Sequence, residues 1–275
     1  MKSIIMLQNY DQNLIPEIQR SAVAEFMARV SALYNENSLV VLPVRNGVKK
    51  DCLFMAATHG DERIGIEVLS SLASAPEFDW QINNERACEQ GKRFLQYDLN
   101  RSAPGDLNSA DYETRRAAEI LRTAKNYNYV IDVHGTVAKS GLFVILTKLS
   151  LEDFLLALTL NIENIVIWLP STERATGPLV QFLTPALEIE CGPKDEPAVA
   201  EKLRAIVLDF LTKFREPIPV SVLAKKKIYF VYGKMEKSEK SLIDFKMIDN
   251  GQEVFYPILS GEYGLAAYKM IKLWG

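Results

Sequence analysis

The sequence predicts an α/β fold over residues 1–215, followed by a small β-rich domain over residues 216–275. Three observations predict it. Through the first part, apolar β-branched runs alternate with stretches of helical rhythm, the pattern of a sheet with crossover helices. Two of those runs end in His-Gly, at His59-Gly60 and His134-Gly135, and these are the only two histidines of the 275 residues. After Glu216-Pro217-Ile218-Pro219 the helical rhythm gives way to short strands separated by glycine and charged turns.

Taken in order, Glu17 to Tyr34 carries Ile18, Val23, Phe26, Met27, Val30 and Leu33 at helical spacing behind Pro16, which predicts an amphipathic helix. Ser38 to Val44 and Asp51 to Ala57 read as strands, and Asn46-Gly47 between them predicts a hairpin. Glu62 to Ala73 reads as a helix ended by Ala75-Pro76. The compact segment Arg93 to Arg101 gathers two arginines and Asn100 around one apolar strand end. Asp111 to Lys125 is helical, with Ala117, Ala118, Ile120 and Leu121 on its buried side, and it leads into the strand that ends at His134. A strand (141–147), a helix (151–160), a strand (164–169), a polar loop (170–181), a strand (186–191) and a long helix (198–214) complete the larger part. Beyond residue 216, strands are expected at 227–232, 242–247, 254–257 and 266–273.

Composition narrows the function classes. The hydrophobic fraction is 48%, the charged fraction 24% and the net charge only -3, values of an ordinary globular protein. No basic block is interleaved with aromatics, so nucleic acid is not an expected partner, and Lys225-Lys226-Lys227 reads as a solvated strand entrance. Neither a signal peptide pattern nor a stretch of membrane-spanning length is visible, which predicts a cytoplasmic protein with no membrane partner. Cys52, Cys88 and Cys191 are odd in number and scattered, so no disulfide framework is expected, and Cys52 and Cys191 read as small core residues.

The chemistry gathers at the strand ends. His59 and His134 both stand just past or at the end of a predicted buried strand, where open α/β sheets place their ligands, and Glu62 follows His59 by three residues. Two imidazoles and one carboxylate bind one zinc ion per chain and leave a fourth position for water, the arrangement of a hydrolytic site. That predicts hydrolysis of an amide or ester. A carboxylate must then move protons. Glu188 and Glu190 share one face of their strand, and Glu190, stopped by Cys191-Gly192-Pro193, is the choice for general base, with Glu188 in reserve. Arg93 suits oxyanion stabilisation, and Asn100 with Arg101 suits a substrate carboxylate.

HGDE, RFLQYDLNR, DVHGT and EIECGP, in this order from about Leu53 to Pro193, resemble the aspartoacylase and succinylglutamate desuccinylase family of carboxypeptidase-like zinc enzymes. The resemblance implies a mixed central sheet with helices on both faces, in the zinc carboxypeptidase manner, and a carboxyl-terminal β module that caps the site. It implies zinc at His59, Glu62 and His134, a catalytic Glu190, Arg93 at the carbonyl, and Asn100 with Arg101 at a carboxylate. Gly261-Glu262-Tyr263-Gly264 is similar to the capping segment that contributes a tyrosine, which adds Tyr263. Aspartoacylases carry one more arginine shortly before the catalytic glutamate. Between Thr176 and Glu190 this chain has none, and Arg174 is the nearest substitute. Residues 1–50 extend the domain outside the resemblance, either as a shield over a sheet edge or as a homo-oligomer contact.

The expected activity is removal of an acyl group from a small N-acyl amino acid. A metallocarboxypeptidase and a non-catalytic zinc- and carboxylate-binding protein would use the same residues. A small closed pocket favours the deacylase over the peptidase, and Glu190 in its motif argues against the binding protein.

Overall fold

A computed structural model describes residues 11–36, 39–44, 50–72, 78–170, 175–183, 185–238 and 241–275. In chain order its elements are α1 (Glu17–Glu36), β1 (Leu39–Val40), β2 (Lys50–Ala56), α2 (Ile64–Ser71), β3 (Phe78–Ile82), α3 (Glu85–Glu89), α4 (Tyr112–Ala124), β4 (Tyr127–Gly135), β5 (Gly141–Leu146) and α5 (Leu151–Thr159). There follow β6 (Asn164–Ile167), β7 (Ala186–Gly192), α6 (Pro197–Lys213), β8 (Ile218–Pro219), β9 (Lys227–Met235), β10 (Ile248–Asp249), β11 (Val254–Ile258) and β12 (Ala267–Trp274). Ten strands form one sheet in the order β10-β11-β12-β9-β6-β5-β7-β4-β2-β3. It is mixed: β3, β2, β4 and β7 run parallel, β5 is antiparallel to β7, and β6 and β9 run parallel to β5.

Alternation along the strands divides the core between the two faces. Cys52, Phe54 and Ala56 pack with Val23 and Phe26 of α1, Val68 of α2, Phe154 of α5 and Phe210 of α6. Leu53 and Met55, one residue out of phase, pack with Ala117, Ile120 and Leu121 of α4. Helices therefore cover both faces. The buried Cys52 and Cys191 belong to the first core. The carboxyl-terminal strands carry the sheet onward, β9 pairing with β6, and with β5 they enclose a third core of Phe143, Tyr229, Ile258 and Met270. Among the described residues no helix is long and apolar enough to cross a membrane.

Several local expectations change. Of the described residues 39–44 only the two-residue β1 is a strand, and it pairs with β8 and not with β2, so among the described residues no hairpin leads to the first histidine. Strand β2 finds partners on both sides in β3 and β4. The Asn46-Gly47 turn and Ala75-Pro76 lie outside the described residues. Segment 242–247 is a turn and no strand. Phe245 takes a positive φ of 62°, which breaks extended backbone, and Asp244 caps the backbone N–H groups of Leu259 and Ser260. Strand β3 and the short α3 carry no clear pattern, every residue of β3 being half-buried.

The triple lysine is no solvated run either. Lys226 is buried and donates to the carbonyls of Leu160 and Ile162, both at 2.6 Å, where α5 ends. Its side chain supplies a donor to the Ile162 carbonyl and a second one to the Leu160 carbonyl, which also accepts from the Ile162 N–H at 2.8 Å. We predict that Lys226→Met, which keeps the apolar stem, lowers unfolding free energy by about 1–3 kcal/mol by stripping the Ile162 carbonyl of its donor and the Leu160 carbonyl of one of its two, as read from urea denaturation.

Candidate active site

The chain leaves β2 through Ala57, whose φ is 50°, and turns so that the Glu62 N–H closes on the His59 carbonyl at 3.0 Å. Glu62 thus stands two residues ahead of α2 and not in its first turn. Gly60 is demanded by close approach. A Cβ there would meet the Cys88 nitrogen at 2.3 Å and the Lys92 oxygen at 2.6 Å, and its N–H donates to the Arg93 carbonyl at 3.0 Å. The histidine turn is thereby pressed against the segment that carries Arg93.

Glu62 collects the site. Its Oε1 lies 2.8 Å from His59 Nδ1 and accepts from Arg93 Nη1 at 2.9 Å. Its Oε2 lies 3.1 Å from His134 Nδ1 and accepts from the Gly135 N–H at 3.0 Å. Each imidazole turns its other nitrogen to an aspartate, His59 Nε2 to Asp98 at 3.0 Å and His134 Nε2 to Asp132 at 3.1 Å. Such a carboxylate behind each ring orients it and aims Nδ1 at a common point, as second partners of metal-binding histidines do, and His59 Nε2 also lies 3.0 Å from Arg93 Nη2. One ligand atom from each of His59, Glu62 and His134 lies within 4.8 Å of the others, and two nitrogens with a carboxylate suit Zn2+. Asp132, His134 and Glu188 form a second such group. There Asp132 is already occupied by the Thr58 hydroxyl at 2.8 Å, so it serves as an orienting acceptor.

Glu190 faces His134 across the β4–β7 register and has no hydrogen-bond partner among the described residues. Burial, reinforced by the Glu62 carboxylate and opposed by His134, raises its carboxyl from the ordinary 4.5 to about 8. For Asp98, burial works upward, but the hydrogen bond from His59 and the nearby Arg101 and Arg93 bring it down to about 2. Buried Glu113 of α4 organises the loop before Asp98 by accepting from the backbone N–H groups of Leu95 at 2.6 Å and Gln96 at 3.2 Å. This loop is not a strand end: Asn100 and Arg101 lie in a single 3-10 turn, Leu99–Arg101.

These groups line a cavity of about 530 Å³. His59, Glu62, Arg93, Asn100, Arg101, His134, Glu190 and Tyr263 all border it, as does Glu188. The Tyr263 ring stacks over the Arg93 guanidinium at 5.3 Å. Arg174 lies outside the described residues, although Pro170, Thr176, Gly177 and Pro178 of the same loop border the cavity. Sequence reasoning missed Asp98 and Asp132. A signal existed for Asp132, two residues before His134 and on the same strand face. Trp168, Lys234 and Tyr268 also border the cavity and carried no signal, because only the sheet order brings β6, β9 and β12 beside it. A larger groove of about 760 Å³ between the end of α5 and β8 shares none of these residues.

Residues 48–208 match the model of the succinylglutamate desuccinylase/aspartoacylase catalytic domain. A probable aspartoacylase from Prochlorococcus marinus (strain AS9601) is 28% identical over an alignment covering 74% of this chain and 80% of that protein. Another, from strain MIT 9215, is 32% identical over 52% of this chain, and there the chain spans about half of the relative's length, 54%. Among solved structures, murine aminoacylase 3 aligns with a TM-score of 0.63 at 17% identity, covering 83% of this chain and 96% of that one. The succinylglutamate desuccinylase from Chromobacterium violaceum aligns with a TM-score of 0.62 at 16% identity, covering 90% and 97%. These likenesses establish the fold, the carboxypeptidase-like mixed α/β architecture that the motifs imply.

Gly60→Ala is predicted to cost about 1–3 kcal/mol through overpacking against backbone that has no room to yield. Chemical denaturation reads that loss.

Proposed function

The chain belongs to the succinylglutamate desuccinylase/aspartoacylase family, and from that premise we propose that it is a zinc-dependent amidohydrolase that removes the acyl group from an N-acyl amino acid. The observation that carries this reading is the Glu190 carboxylate, without a hydrogen-bond partner among the described residues, beside two imidazoles and a carboxylate in one cavity of about 530 Å³. A cavity of that volume, lined by convergent charged and polar side chains, suits a small-molecule substrate.

His59, Glu62 and His134 would hold the zinc ion, which when bound polarises the scissile carbonyl and eases deprotonation of water. Glu190 takes a proton from the attacking water and passes it to the departing nitrogen, a task suited to a carboxyl held well above its ordinary range. Arg93 holds the developing oxyanion, its guanidinium steadied by Glu62 and by the Tyr263 ring. Asn100 and Arg101 bind a substrate carboxylate, and Arg174 from the covering loop is the candidate second anchor. Residues 216–275 act as the cap, contributing Tyr263 to the roof.

Glu190→Gln should lower kcat by about 10²- to 10⁴-fold with zinc content unchanged, measured by amine release and metal analysis. Unchanged hydrolysis would overturn the mechanism. Since the base works only when ionised, kcat/KM should fall as pH drops and Glu190 is protonated. That acid limb should lie above the ordinary carboxyl value of 4.5 and be missing from the residual activity of the variant. Asp132→Asn should weaken zinc binding about 10- to 100-fold, read by chelator competition.

A further inference from the structure

The charges around the cavity are paired unevenly. Glu188 is only 5% exposed, yet among the described residues its partners are the Asn100 amide, at 2.9 Å, and His134 Nε2, at 3.7 Å. That nitrogen is already committed to Asp132. No lysine or arginine of the described residues pairs with Glu188. The common point of the metal-type donors lies on the Nδ1 side of the His134 ring, whereas Glu188 lies at the Nε2 edge. A carboxylate taken out of water without a cation is costly, so a group that stays ionised there needs a counterion from elsewhere. Glu188 borders the cavity, and a ligand can supply one.

Its neighbour shows the opposite deficit. Arg101 donates to the Asn100 carbonyl at 2.7 Å and has no carboxylate in ion-pair contact among the described residues. Lys234, which also borders the cavity, rests over the Tyr268 ring at 5.8 Å and likewise has no carboxylate partner among them. Asn100 stands between the two deficits. Its amide nitrogen serves Glu188, its amide oxygen accepts from the Leu179 N–H at 3.2 Å, and its backbone oxygen serves Arg101. A carboxylate seeking a cation and a guanidinium seeking an anion, spaced by one asparagine, complement a zwitterion.

We propose that Glu188 and Arg101 read the free α-amino acid end of the substrate, Glu188 binding its ammonium and Arg101, with Lys234, its carboxylate. The acyl group removed then sits on the side-chain nitrogen of a diamino acid. Glu188 lies two strand residues from Glu190, roughly 7 Å, a span covered by a chain of about five or six bonds, the separation of the α- and side-chain nitrogens in ornithine and lysine. The substrate class is an Nδ- or Nε-acyl diamino acid. This inference rests on the deacylase reading above and assigns its specificity.

The test compares Nε-acetyl-lysine with 6-acetamidohexanoate, which keeps the chain and carboxylate but lacks the α-ammonium, and with N-acetylaspartate. The zinc-loaded protein should favour acetyl-lysine over the des-amino analogue by at least about tenfold in kcat/KM. That ratio should collapse towards one in Glu188→Gln and be partly kept in Glu188→Asp. Calorimetry on the metal-free protein gives a readout independent of turnover: lysine should bind more tightly than 6-aminohexanoate, and Glu188→Gln should erase the difference. A ratio near one in the parent protein, a ratio that survives Glu188→Gln, or a preference for N-acetylaspartate overturns the inference and leaves the deacylase standing. If the zinc-loaded protein hydrolyses none of the three, the deacylase reading fails on these substrates, and the calorimetric difference alone upholds or overturns ammonium recognition by Glu188.

Discussion

The site depends on the carboxylate of Glu62. Its two oxygens meet His59, His134, the Gly135 N–H and Arg93, and so tie the turn after β2, the end of β4 and the arginine loop to one point. A buried carboxylate is tolerated only when its lone pairs are met by donors or a cation, and here the donors come from segments far apart in the chain. Shifting any one of them leaves a charge poorly solvated inside the protein. The constraint therefore positions residues as well as binding them.

Around that centre, positions are fixed by relays rather than single contacts. Asn83, past the end of β3, donates to the Thr58 hydroxyl at 2.7 Å, Thr58 donates to Asp132, and Asp132 holds His134. On the roof, Leu259, Gly261, Tyr263 and Gly264 all take positive φ within one short turn. That unusual backbone is held from two sides. Asp244 accepts from the Leu259 and Ser260 N–H groups, and Glu262 accepts from the Val137 N–H at 2.7 Å and from the Thr136 hydroxyl. The roof that carries Tyr263 is thereby fastened to the loop that directly follows His134.

The placement of negative charge gives the cavity its character. Among the described residues Glu190 has no hydrogen-bond partner, Glu62 meets four donor groups, and Glu188 is met by an amide. Three carboxylates bordering one cavity, two on β7 and one in the turn after β2, thus differ in their partners, set by which donors the surrounding segments deliver.

Much of the fold was legible because period and punctuation are local properties. The β-branched run 129–135, the helical rhythms of α1, α4, α5 and α6, and the Glu188/Glu190 alternation follow from residues near one another in sequence. The convergence of His59, Glu62 and His134 was legible because both histidines stand at strand ends and the chain has no third. What tertiary structure decided is pairing. A short strand such as β1 does not announce its partner, so β8 took the place that a nearby Asn-Gly suggested for β2. Lys226 looked solvated because charge predicts exposure until a helix end presents carbonyls that need a donor. The meeting of Asp98 with His59 depends on how a loop folds back over the turn after β2, and the cavity wall of Trp168, Lys234 and Tyr268 depends on which strands lie side by side. Sheet order is fixed by long-range packing and hydrogen bonding, and no short window of sequence contains it.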